Sequence, residues 1–115
     1  MNRVYVVQSP MRRNVNNELI HMFDLTPARE YGNIEILLPS GPTLLCNVSA
    51  THALREKLGG FSKSDHLLCL GDPVAIAAAS AIVASINDGI IPLLVWDRQR
   101  RKYLSIRVDI HQRMN

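Results

Sequence analysis

Residues 66–97 read HLLCLGDPVAIAAASAIVASINDGIIPLLVWD, and this stretch decides the fold. Residues 66–70 form a near-continuous apolar run, the pattern of a strand covered on both faces. Gly71, Asp72 and Pro73 follow. Asp72 suits a helix N-cap, because its carboxylate accepts a backbone N–H of the first turn. Pro73 suits the first helical position, where a missing N–H has no intrahelical partner to lose. The helix is predicted to run to about Asn87, with Asp88 and Gly89 closing it. It is apolar or small nearly all round, which predicts heavy burial, and its alanines permit close approach to a sheet. Residues 90–97 then return as a strand. Strand, helix and strand with short joints make a right-handed βαβ unit around a parallel pair. Pro92 conflicts with a regular ladder, having no N–H to give. Either the paired part starts after it or it lies at a free edge.

Downstream, residues 98–101 are a polar turn and residues 103–110 alternate strictly. Leu104, Ile106, Val108 and Ile110 share one face, and Tyr103, Ser105, Arg107 and Asp109 the other. This predicts a half-buried strand, antiparallel to its predecessor through a hairpin. Upstream, residues 3–8 read as a first strand stopped by Ser9 and Pro10, and residues 33–38 as a second. A turn at residues 39–42 leads to a short strand over residues 43–48. A helix over residues 50–58 is capped by Ser49, with Ala50, Ala53, Leu54 and Leu58 on one face. Gly59 and Gly60 end it through the left-handed conformation. Met11, Val15, Leu19 and Phe23 fall at four-residue spacing, which favours a short helix over residues 16–23; Asn14, Asn16 and Asn17 weaken its interior but can cap its start. The sum is an α/β protein: one domain over residues 1–115, a mixed sheet with a central βαβ unit, two to three helices and a C-terminal antiparallel hairpin. With so few helices, one sheet face is bare unless a second copy covers it, so a homodimer is expected.

The 115 residues are 47% apolar and 20% charged, a globular balance. No apolar run approaches the ~18 residues of a membrane span, and the N-terminal residues lack a signal-peptide layout, so a cytoplasmic setting is expected. Cys46 and Cys69 each sit in an apolar run and are expected as free thiols. No CxxC or HxxxH spacing occurs, and neither metal nor cofactor is expected. The net charge of +3 permits contact with nucleic acid without requiring it.

Two segments are candidate sites. Gly71 and Asp72 stand between a buried strand and a helix N-terminus, where open α/β sheets bind anions and nucleotides. Against that, the loop has one glycine rather than a phosphate-cradling pattern, and Asp72 repels phosphate. The second is the hairpin, where Arg98, Arg100, Arg101 and Lys102 lie between Trp96 and Tyr103. Cations neutralise phosphates and aromatic rings stack on unpaired bases. The plain reading is a solvated turn. The histidines at 21, 52, 66 and 111 are scattered, and His52 with Glu56 reads as a surface pair on a helix. No GxSxG nucleophile elbow occurs, and no catalytic residue is assigned.

Several motifs act as a set: FDLTPAREYG at residues 23–32, IEILLP at 34–39, DHLLCLGDP at 65–73, and LLVWDRQ at 93–99 followed by Tyr103. The chain from Phe23 onward resembles a group of small proteins of tailed bacteriophages and prophages with no assigned activity. The resemblance implies a viral origin and a host bacterial cytoplasm, and carries over no functional residue. The expected function is a non-enzymatic phage accessory protein that binds a host or phage macromolecule. Two alternatives stand beside it: a nucleic-acid-binding protein using the basic hairpin, and a small nucleotide-binding domain using the Gly71-Asp72-Pro73 loop.

Overall fold

The computed structural model describes residues 2–41 and 48–112. Its strands are β1 (Arg3–Gln8), β2 (Met11–Arg13), β3 (Leu19–His21), β4 (Asn33–Leu38), β5 (His66–Leu68), β6 (Ile90–Asp97) and β7 (Lys102–Asp109). Its helices are α1 (Val48–Leu58) and α2 (Pro73–Ile86), with a 3₁₀ turn over Thr26–Tyr31. The main sheet has the order β4-β1-β5-β6-β7. β4, β1, β5 and β6 run parallel, and β7 is antiparallel to β6. The fold is thus the mixed α/β sheet with a βαβ heart and terminal hairpin that the patterning predicts.

Counting the sheet's own strands along the chain, the order is 2-1-3-4-5, that of a doubly wound sheet. The chain moves one way from β1 to β4 and the opposite way from β4 onward. Right-handed crossovers then require connections on opposite faces, and that is what the packing shows. α1 and α2 cover the face formed by Tyr5, Val7, Leu37, Leu67 and Ile91, contributing Leu54, Leu58, Ala75, Ala79 and Val83. The 3₁₀ turn covers the other face through Ala28, against Val4, Val6, Leu68, Leu94 and Tyr103. Leu67 and Leu68 belong to different cores, as a strand buried on both sides demands.

α2 begins as expected: Asp72 is extended and accepts the Val74 N–H at 3.2 Å, and Pro73 opens the helix. Pro92 lies inside β6 opposite Arg107 of β7, but the register with β5 starts only at Leu93. Its missing N–H therefore removes no bond to β5, so the paired part on that side does start after it.

Five expectations change. The helix over residues 16–23 is instead the hairpin of β2 and β3. Asn14 Oδ1 accepts the backbone N–H groups of Asn16 and Glu18 at 2.9 Å each, and Asn17 takes φ 63°, so turn chemistry overrides the four-residue spacing. Val15 is wholly exposed, so that spacing buries nothing. The proposed strand over residues 43–48 lies outside the described residues up to Val48, which already belongs to α1; Ser49 is therefore inside the helix rather than capping it. At the other end neither Gly59 nor Gly60 is left-handed; the chain leaves through Gly59 N–H to Glu56 C=O and Phe61 N–H to Leu58 C=O. α2 is not heavily buried: Ala75, Ala79 and Val83 are enclosed, but Val74 and Ile86 are 58% and 47% exposed. In β7 the expected burial of one face fails: Leu104 is only partly buried, and Ser105 and Arg107 are as exposed as the apolar positions between and beyond them. Tyr103 is buried, while Ile106 and Val108 are exposed.

Candidate functional site

Two concavities lie at the carboxyl ends of the parallel strands. The first is the crevice where the chain changes direction, a volume of about 360 Å³ bordered by Gln8, Pro10, Met11, Ser40, Gly41, Gly71 and Asp72. Gln8 spans it. Its Nε2 donates to the carbonyls of Pro39 and Gly41 at 2.8 and 2.9 Å, and its Oε1 accepts the Asp72 N–H at 2.7 Å. One buried amide so joins the ends of β1, β4 and β5. Gly71 makes the fit possible: its φ is 108°, and a Cβ there would lie 2.5 Å from Gln8 Cβ. Both Nε2 protons and Oε1 are thus used within the protein, and the Asp72 carboxylate already caps α2. The crevice is built as a clasp for three loops.

The second concavity is a cavity of about 700 Å³ on the face opposite α1 and α2. Leu68, Leu70 and Leu94 form its floor, with Cys69 and Val95 at its margin, and Met22, Phe23, Asp24 and Pro27 close one side. Trp96, Arg98, Arg101 and Tyr103 form the other. Trp96 and Tyr103 are directly opposed in the β6–β7 register and meet edge to face, with ring centroids 5.0 Å apart. Tyr103 is buried, and Trp96 is 42% exposed. The Tyr31 hydroxyl donates to the Tyr103 carbonyl at 2.9 Å, tying β7 to the 3₁₀ turn. The basic turn has a defined backbone: Asp97 Oδ1 accepts the N–H groups of Gln99 and Arg100, and Arg101 takes φ 53°.

The cavity's ionisable groups have distinct roles. The Thr26 N–H donates to Asp24 Oδ1 at 2.9 Å and holds this carboxyl below its usual range, so it stays anionic at neutral pH. Burial, with the Asp24 charge second, raises the Tyr103 phenol, which remains a protonated donor. Burial also raises the Cys69 thiol, partly offset by a hydrogen bond with Ser80 of α2; this side chain packs against the helix-covered core, so the thiol is a poor nucleophile and belongs to the other face. Beneath, His66 is held neutral chiefly by burial, against the raising effect of Asp65. It bonds Ser105 Oγ through Nε2 at 2.9 Å, and its buried Nδ1 has no partner. Ser9 and His21 are hydrogen-bonded through Oγ and Nδ1, but Ser9 is only 3% exposed; the pair anchors β3 to the end of β1. Among the described residues, no group of three His, Cys, Asp or Glu is placed to hold a metal ion.

Of the hairpin residues singled out in the sequence, Trp96, Arg98, Arg101 and Tyr103 converge on the cavity. Arg100 and Lys102 do not line it; Arg100 Nε lies 3.8 Å from Asp97 Oδ2, and Lys102 stands opposite Asp97 in the ladder. Gly71 and Asp72 belong to the separate crevice. Sequence reasoning missed Met22, Phe23 and Asp24, which reach the hairpin only because the β1–β4 crossover runs over this face. Phe23-Asp24 opens a quoted motif, yet nothing local places it beside Trp96.

The fold and its edge concavities define an open, doubly wound α/β protein whose larger cavity lies beside a basic aromatic hairpin. Residues 2–110 match the family model described as Phage Pam3 gp32-like protein, and the chain belongs to that family. The match takes in residues 2–22, which the resemblance seen in the sequence had left without a counterpart. No curated protein and no solved structure matches the chain. No helix among the described residues is long and apolar enough to cross a membrane.

Proposed function

We propose that this phage protein is a non-enzymatic accessory protein that binds single-stranded nucleic acid, with an unpaired base entering the cavity beside the hairpin. The observation that supports this is the cavity's composition. A flat apolar floor and the Trp96–Tyr103 pair suit the face of a base, whose stacking on an aromatic ring is worth about 1–3 kcal/mol. Asp24, anionic and accepting, suits an exocyclic amine. Arg98 and Arg101 stand on the opposite side, where the flanking phosphates of a strand would pass. A catalytic role has less support, since the thiol is protonated and the Ser9 hydroxyl is enclosed.

Trp96 is the single tryptophan of the chain, so its fluorescence reports on the cavity alone. Titration with short single-stranded oligonucleotides is expected to quench it, more weakly as salt rises. Arg98→Gln with Arg101→Gln is expected to weaken binding and to lower the slope of log affinity against log salt by about 0.7 per phosphate released. Arg100→Gln with Lys102→Gln is expected to change both less. Equal effects from the two pairs would place binding on the general charge of the turn, and absence of quenching would refute the reading.

A further inference from the structure

α2 has the sequence PVAIAAASAIVASI, without a charged residue. At 100° per residue, Ala75, Ala79 and Val83 face the sheet, and Val74, Ala77 and Ala81 lie on the far side, all three exposed. An isolated surface helix ordinarily carries charge there. Beside α2 on the same sheet face lies a second anomaly. Val95 of β6 stands opposite Leu104 of β7, and Ile106 and Val108 continue that face along the edge strand. No helix covers them: Val95, Ile106 and Val108 are 43%, 44% and 38% exposed. A sheet strip lacking a helix thus lies next to a helix lacking a cover.

We infer that the occupant of each is a second copy of this chain: the outer face of α2 of one protomer seats on the Val95–Ile106–Val108 shelf of its partner, and reciprocally. A two-fold interface needs surfaces that complement each other on a single chain, and here the chain supplies both halves. Nucleic acid is disfavoured because α2 and the Val95, Ile106 and Val108 positions supply no cation; the nearest are at the margins, Lys102 at the end of the shelf and Arg55 of α1 beside Ala81. The area suffices. β7 is about 26 Å long and α2 about 21 Å, each presenting a band roughly 10 Å wide. Two shelves and two helix faces together remove on the order of 1,000 Å², the threshold of a specific interface. The Asp97–Lys102 pair at the end of the shelf forms a polar rim. The cavity beside the hairpin is built mainly by Leu68, Leu94, Trp96 and Tyr103 of the opposite sheet face, with Val95 at its margin, so the pairing leaves its mouth open in both protomers. It is independent of what that cavity binds.

Light scattering on the intact chain at high micromolar concentration is the test. The expected mass is twice the 12.9 kDa of one chain. Ala77→Lys and Ile106→Glu change exposed positions, so each variant is expected to stay folded by circular dichroism and run as a monomer, melting lower only by the stabilisation that association gives. Mixing the two variants is expected to restore a dimer, because the new lysine of one meets the new glutamate of the other at one of the two seats. A monomeric wild type would overturn the proposal. So would a dimer that survives both substitutions, or folded variants that stay monomeric when mixed. Should Ile106→Glu fail to fold, an Ala77→Cys, Val108→Cys chain decides instead: interchain disulfides on oxidation support the pairing, and their absence refutes it.

Discussion

Leu67 and Leu68 are neighbours in β5, yet they end in different surroundings. Leu67 lies under α1 and α2 in an enclosed core with Tyr5, Val7 and Leu58. Leu68 also excludes water almost completely, but it is part of the floor of an open cavity. The difference comes from the connections. The crossovers on the first face carry helices of eleven and fourteen residues. The β1–β4 crossover on the second carries a three-residue hairpin pair and a six-residue 3₁₀ turn, too little to roof the ends of β5, β6 and β7. One face is therefore filled by packing, and the other keeps an open cavity.

This contrast is most open to challenge by truncation. Leu67→Ala is expected to cost about 3–5 kcal/mol, since the helices cannot collapse into the space. Leu68→Ala is expected to cost less, about 2 kcal/mol, because the enlarged cavity is open to water. Urea unfolding of both variants measures the gap, and equal losses would mean the faces are equally closed. A smaller effect is expected from Tyr31→Phe, which deletes the bond to the Tyr103 carbonyl: about 1 kcal/mol in stability. It should also weaken the response of Trp96 to oligonucleotides, because β7 is no longer tied to the 3₁₀ turn.

The smallest expected effect is a pH dependence. Burial lowers the His66 pKa in the folded protein, so the unfolded chain binds the proton more readily. The stability that His66 contributes is thus present above its unfolded value of about 6.5 and lost as pH falls through the folded value. Thermal melts between neutral and mildly acidic pH should fall, and His66→Gln should flatten that fall. An unchanged slope in the variant would remove His66 as its source.

The sequence made the helix-covered face legible and the open face obscure, for physical reasons. Asp72 and Pro73 set the start of α2 locally, and the apolar run over residues 66–70 could be satisfied only between two layers. Turn residues alone defined the hairpin that carries Trp96 and Tyr103. Residues 11–23 misled because Asn14 captures two backbone N–H groups, a choice that hydrophobic spacing does not register. The cavity was half visible: its aromatic and basic side is contiguous in sequence, whereas Phe23 and Asp24 arrive by a crossover some seventy residues upstream. The alternation in β7 was read correctly, but the number of helices limits what they can cover. That is why Ile106 and Val108 are left exposed, while Tyr103, on the other face, is buried in the cluster that Ala28 of the 3₁₀ turn covers.

If the protein binds single-stranded nucleic acid as proposed, the strand meets the open face and not the helical one. Ultraviolet cross-linking of a single-stranded oligonucleotide to the intact protein, with adducts mapped by peptide mass spectrometry, tests it directly. Adducts are expected on the peptides that carry Phe23, Trp96 and Tyr103. Adducts confined to the peptides of α1 and α2, or none at saturating oligonucleotide, would contradict it.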